Sequence, residues 1–93
     1  NDGDLIRIPL PALTEERRKD LVKQARARGE DAKIAVRNHR RSTNDLLKEA
    51  EKEKELSQDD LKRALDQVQG AVDKAVNDID SVLDSKEAEI LAV

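Results

Sequence analysis

Apolar and small side chains recur at Leu21, Ala25, Ala32, Val36, Thr43, Leu46 and Ala50, with His39 on the same stripe. From residue 32 onward the steps alternate between four and three, the spacing of a helix that packs along its length against another. A second run, Leu61, Leu65, Val68, Val72, Ala75, Ile79 and Val82, repeats the alternation. The pattern predicts an all-α chain over most of its length, with helices at about 14–54 and about 58–91. At about 1.5 Å of rise per residue these are rods of roughly 60 and 50 Å.

Start signals support both helices. Thr14 is a suitable N-cap, and Glu15 and Glu16 follow it in the first turn, where the helix dipole favours negative charge. Dense alternation of charge from Lys48 to Glu55 gives way to Leu56 and Ser57. Ser57 is placed to cap the second helix, with Asp60 at its third position and Leu56 and Leu61 at the two staple positions. So short a connection turns the helices back antiparallel. Gly29 costs roughly 1 kcal/mol against Ala inside a helix, so it marks a bend or a close approach, and Gly70 reads as tight packing. Upstream, residues 4–8 read as a short strand, and Pro9 and Pro11 impose an extended connector. A lone hairpin of Leu, Val and Ala leaves much of each stripe wet, so a third helix is expected from a partner or from sequence outside this chain.

Charge changes the picture most. Between residues 17 and 41, Arg17, Arg18, Lys19, Lys23, Arg26, Arg28, Lys33, Arg37, Arg40 and Arg41 face only Asp20, Glu30 and Asp31, although the whole chain carries a net charge of −3. Residues 42–93 compensate with 7 basic and 14 acidic side chains. On a 100° wheel with Val36 at zero, the apolar stripe spans about −80° to +20°. Lys19, Lys23, Arg26, Lys33, Arg37, Arg40 and Arg41 fall between about 40° and 140°, interrupted by Glu30. This flank runs about 33 Å along the helix. That length suits several contacts to the phosphates of a nucleic acid, whose affinity is set by neutralised charge.

Composition removes other classes. With no aromatic residue among 93, no ring is available to stack on splayed bases. The absence of cysteine rules out a disulfide framework and thiolate metal ligation. No apolar run is long enough to span a membrane, and no signal-peptide pattern is present. No glycine-rich phosphate loop occurs, no serine has a positioned base, and the carboxylates of the second half lack the spacing of a calcium loop. His39, the single histidine, lies on the stripe and reads as a packed or partner-facing residue.

Three motifs carry a resemblance to a known family. Ile6-Arg7-Ile8-Pro9-Leu10-Pro11 leads into Leu13-Thr14-Glu15-Glu16-Arg17-Arg18-Lys19-Asp20-Leu21; Ala35-Val36-Arg37-Asn38-His39-Arg40-Arg41 follows, and Lys86-Glu87-Ala88-Glu89 lies near the end. Together they resemble the ribosome recycling factors, in register over the whole chain. The resemblance implies an L-shaped molecule, with a long three-helix bundle and a small α/β domain inserted between its first and second helices. On this reading, residues 1–13 are the last strand of the inserted domain plus a hinge at Pro9, Leu10, Pro11, Ala12 and Leu13. Residues 14–93 are the second and third bundle helices, with the first helix and most of the inserted domain missing from the chain.

The family's function enters as an implication too. It makes the chain part of a non-enzymatic translation factor, without cofactor or small-molecule substrate. Its partners are the large ribosomal subunit with its rRNA and elongation factor G, and its setting is a bacterial cytoplasm or an organellar stroma or matrix. Arg37 and Arg40 occupy the family's arginine positions for rRNA; Lys33, Arg41, Arg26, Lys23 and Lys19 join them from the wheel alone. His39 departs from the family, which carries an aliphatic residue there. A competing reading is a coiled-coil adaptor whose stripes dock a partner helix and whose basic flank is incidental; a generic basic nucleic-acid binder ranks third.

Overall fold

The computed structural model describes residues 14–92. They form two helices, α1 over Glu15–Lys52 and α2 over Gln58–Leu91, joined by a short turn and packed antiparallel. The predicted all-α hairpin is therefore the observed fold, with helix ends within about two residues of expectation. The strand at residues 4–8 and the hinge at Pro9–Leu13 lie outside the described residues.

Both predicted caps are present. The Thr14 hydroxyl accepts from the backbone N–H of Arg17 at 3.0 Å, and Ser57 Oγ accepts from Asp60 N–H at 3.0 Å. Each satisfies one donor that the first helical turn otherwise leaves open. Hydrogen bonds from Arg63 first, and then Ser57, hold the Asp60 carboxyl below the usual carboxylate range. The α1 terminus closes differently from anything the sequence suggested. Lys54 N–H donates to Glu51 O at 2.9 Å and Glu55 N–H to Ala50 O at 2.8 Å, while Lys54 itself adopts φ 63°. This pair of bonds around a left-handed residue is the Schellman closure, built here on lysine where glycine is usual.

At the opposite end, Arg18 Nη1 donates to the carbonyl oxygens of Ile90 at 2.8 Å and Ala92 at 2.7 Å. A cation on these last carbonyls suits the negative end of the α2 dipole. It also ties the start of α1 to the end of α2. Between the two ends, Gly29 marks a close approach: a Cβ there would fall on the Leu83 side chain. The expected close approach at Gly29 is thus found. Gly70 differs, being exposed with open space where its side chain would be, so tight packing does not explain it.

The face of α1 that meets α2 is turned from the expected one. Leu21, Ala25, Val36 and Ala50 are half-buried as predicted, but Ala32, His39, Thr43 and Leu46 are exposed, and Lys33, Arg40, Asn44 and Leu47 are half-buried in their stead. An apolar stripe broad enough for two neighbours cannot centre on one. Here α2 lies over the side toward the basic flank, where the aliphatic stems of Lys33 and Arg40 cover apolar surface while their heads reach outward. On α2 the predicted seam holds apart from Val82, whose place is taken by Leu83.

The remaining stripe is open. Leu46 is 72% and Val82 57% exposed, and no hydrophobic side chain among the described residues is fully buried. A groove between the helices is lined by Val36, His39, Arg40, Thr43, Val68, Ala71 and Val72; a second lies along Ala25, Arg28, Gly29, Asp78, Ile79, Val82, Leu83 and Lys86. Such a hairpin buries too little apolar surface to be a core by itself, as the need for a third helix anticipated. His39 faces the first groove and is not packed under α2.

Candidate nucleic-acid interface

One helix, α1, carries the basic flank, so residues seven apart return to nearly the same side. Arg26, Lys33 and Arg40 are such a series, and they look across to α2. Arg26 Nη2 pairs with Asp84 Oδ1 at 3.1 Å and also with Glu87, while its Nε donates to Glu87 Oε1 at 3.1 Å. Those bonds, Glu87 first, raise the affinity of the Arg26 guanidinium for its proton. Lys33 Nζ meets Asp80 Oδ1 at 2.5 Å, with its side chain only 17% exposed. Arg40 meets no carboxylate among the described residues; its Nη1 donates to Gln69 Oε1 at 3.2 Å.

Farther out on the flank the cations face solvent. Arg37 lies 3.8 Å from Glu30, a loose exposed contact of the kind worth little in water. Lys19, Lys23 and Arg41 are exposed and make no ion pair with another described residue. A recess on this side is lined by Arg37, Arg40, Gln69, Val72, Asp73, Val76 and Asn77.

The predicted flank is thus physically continuous but electrostatically divided. All seven positions share one side of α1, yet α2 answers Arg26 and Lys33 with carboxylates and gives none to Arg37, Arg40 and Arg41, of which Arg37 has only its loose contact with Glu30 on α1. Sequence reasoning on α1 alone missed this, because the opposing acids lie 47 to 61 residues away in the chain. A signal was available: Asp73, Asp80 and Glu87 are also spaced by seven, and run antiparallel to Arg26, Lys33 and Arg40. Facing flank positions of packed helices pair in this way.

Other chemistry finds no foothold among the described residues. No group of three or more His, Cys, Asp or Glu side chains is placed to hold a metal ion, and no helix is long and apolar enough to cross a membrane. His39 shares its groove with Val36, Val68, Ala71, Val72, Thr43 and Arg40, and no carboxylate lines it.

An antiparallel helical pair with one cationic side and an exposed apolar stripe defines the class: a section of a helical bundle protein. The chain belongs to the ribosome recycling factor family, whose sequence profile matches residues 1–91. It is 56% identical over 92 residues to a ribosome-recycling factor of Methylobacillus flagellatus, covering 99% of this chain and 50% of that protein. The Bordetella pertussis ribosome-recycling factor is 57% identical over 91 residues, covering 98% of this chain and 49% of the relative. That of Syntrophomonas wolfei is 54% identical over 93 residues, with 100% and 50% covered. The chain spans about half the length of the curated relatives it matches. No solved structure matches it significantly.

Proposed function

We propose that this chain is the RNA-anchoring part of a translation factor that recycles post-termination ribosomes. It docks its basic flank on large-subunit rRNA and, with elongation factor G and GTP hydrolysis, helps to split the ribosome from mRNA. Family membership supports the ribosomal setting. The observation that carries the anchoring role is the cluster of Arg37, Arg40 and Arg41 on a rigid helix, outside the reach of the carboxylates that neutralise Arg26 and Lys33. A preformed rod with cations along one side recognises RNA by backbone geometry and charge, with little reading of bases.

In this role Arg37, Arg40 and Arg41 are the principal phosphate contacts, and Lys19 and Lys23 extend them toward the start of α1. Arg26 and Lys33 contribute less, because a phosphate has to displace a carboxylate already bound there. Pro9, Leu10, Pro11, Ala12 and Leu13 serve as the hinge to the inserted domain. The factor works without cofactor, metal or catalytic residue, in the cytoplasm of a bacterium or in an organelle of bacterial descent. Protons and covalent bonds play no part on this chain; its work is binding, and the energy for splitting enters through the GTPase.

The test is sedimentation with isolated large ribosomal subunits at several salt concentrations, using the chain completed to the length of its relatives. The Arg37→Ala/Arg40→Ala variant should bind about 100-fold more weakly near physiological salt, with the dependence of log K on log salt flatter by about two. Equal binding of the two proteins at equal helicity would sink the anchoring role. The open groove with exposed Leu46 and Val82 favours a second reading, an adaptor that docks an apolar partner helix. Neutralising the flank would leave such docking intact.

A further inference from the structure

The register that brings Arg26 to Glu87 and Lys33 to Asp80 advances by seven residues on each helix. Carried one step further, it sets Arg40 opposite Asp73. That third pair is not made. Gln69, one turn before Asp73 on α2, accepts from Arg40 Nη1 at 3.2 Å through Oε1, and its Nε2 donates to Asp73 Oδ1 at 2.9 Å. A guanidinium only donates and a carboxylate only accepts, so a single orientation of the amide satisfies both neighbours. Both Arg40 and Gln69 line the recess that also holds Arg37 and Asp73.

We propose that Gln69 is a positioning residue for the RNA anchor: it stands between Arg40 and Asp73, holding the guanidinium in place while keeping it out of an ion pair. The inference rests on the anchoring role assigned to Arg40 above. Its physical content is a difference in available charge. Arg26, on the surface but clasped by two carboxylates, already has its charge paired, and a phosphate gains less by approaching it. Arg40 is held by a neutral amide oxygen, so its full positive charge and its remaining N–H donors stay free for a phosphate. Asp73 is occupied by the Gln69 amide and its orientation is set, so it does not compete. An amide interposed at this one rung turns a structural cation into a recognition cation.

Four variants of the chain completed to the length of its relatives, titrated with isolated large ribosomal subunits across a salt series, decide the matter. Arg40→Ala should weaken binding about tenfold and flatten the salt dependence by about one. Gln69→Ala should do nearly the same, about fivefold, because Arg40 then closes onto Asp73. Adding Asp73→Asn to Gln69→Ala should bring binding back to within about twofold of the parent, since no carboxylate is left to capture the arginine. Gln69→Glu, which pairs with Arg40 directly, should weaken binding while the thermal midpoint is kept.

A normal affinity for Gln69→Ala beside a weakened Arg40→Ala overturns the inference and leaves the anchoring role standing. Failure of Asp73→Asn to restore binding to Gln69→Ala, with helicity unchanged, shows that Gln69 acts through structure and also overturns it. If Arg40→Ala binds like the parent, the anchoring role and the inference fall together.

Discussion

Arg26 and Arg40 lie two heptads apart on one flank of α1, and α2 treats them differently. The first is gripped by Asp84 and Glu87; the guanidinium of the second donates to the amide oxygen of Gln69 and forms no ion pair with another described residue. Identical side chains on the same helix side therefore end with different amounts of usable charge. Position on a helical wheel says which cations can reach a surface together. The neighbouring helix decides which of them remain cations in effect, because a paired guanidinium has already released its counterions and gains little from a phosphate.

The sharpest way to break this contrast is to neutralise the paired residues. If position alone mattered, Arg26→Ala/Lys33→Ala would cost as much affinity for large subunits as the loss of Arg37 and Arg40, about 100-fold. With charge divided as the structure has it, the cost should stay within about threefold, and the salt dependence should hardly move. The same variant should unfold at a lower temperature, since it removes two of the links between the helices. Subunit binding and thermal unfolding measured on one preparation separate the two effects.

Gly29 offers a second handle. Its missing side chain lets α1 approach Leu83, and that approach brings Arg26 and Lys33 within reach of the α2 acids. A valine placed there has to displace the Leu83 side chain. Gly29→Val should cost about 2 kcal/mol in unfolding free energy, the usual scale of overpacking. Any variant molecules that stay folded should have weaker Arg26 and Lys33 pairs. Denaturant unfolding gives the first number, and an unchanged midpoint would show that the helices are not held at this point.

A smaller change should follow from releasing the paired cations without moving the backbone. Asp80→Asn/Asp84→Asn/Glu87→Gln removes the counter-charges while keeping size and shape. Arg26 and Lys33 then become available, so binding to large subunits at low salt should tighten about tenfold and its salt dependence steepen by about two. Weaker binding, or none of the added slope, would show that these positions do not face the RNA.

How much of this was legible beforehand divides along a physical line. Local signals were read correctly: Thr14 and Ser57 cap the helices, Gly29 marks a close approach, and the antiparallel hairpin follows from two long stripes and a short turn. What went unread depended on pairs distant in sequence. The stripe from Leu21 to Ala50 is wider than the contact with α2, so its centre did not give the contact line, and Lys33 and Arg40 came to lie half under α2. Glu30 shows as an interruption of the flank because it sits on α1, whereas the spacing of the second-half carboxylates, Asp80, Asp84 and Glu87 among them, serves only to exclude a calcium loop. Gly70 misled for the opposite reason: a glycine inside a helix suggests packing, yet open space surrounds it. The part played by Gln69 depends on one hydrogen bond in each direction, which spacing alone does not contain.

The turn that closes α1, beyond its basic flank, supplies the mildest test. Lys54 sits at φ 63°, a conformation that crowds Cβ in every residue except glycine, and it is kept there by the two bonds that close α1. Lys54→Gly removes that crowding, and the gain is partly offset by the greater freedom of glycine in the unfolded chain. The net expectation is a stabilisation of about 0.5–1 kcal/mol, seen as a higher denaturant midpoint with an unchanged slope. Because Lys54 lies beyond the flank, loss of its charge should leave subunit affinity and its salt dependence as they were. A fall in affinity would extend the cationic surface around the turn and enlarge the region set apart from Arg26 and Lys33. Unchanged affinity with higher stability would confine recognition to the helical cations that α2 leaves unpaired.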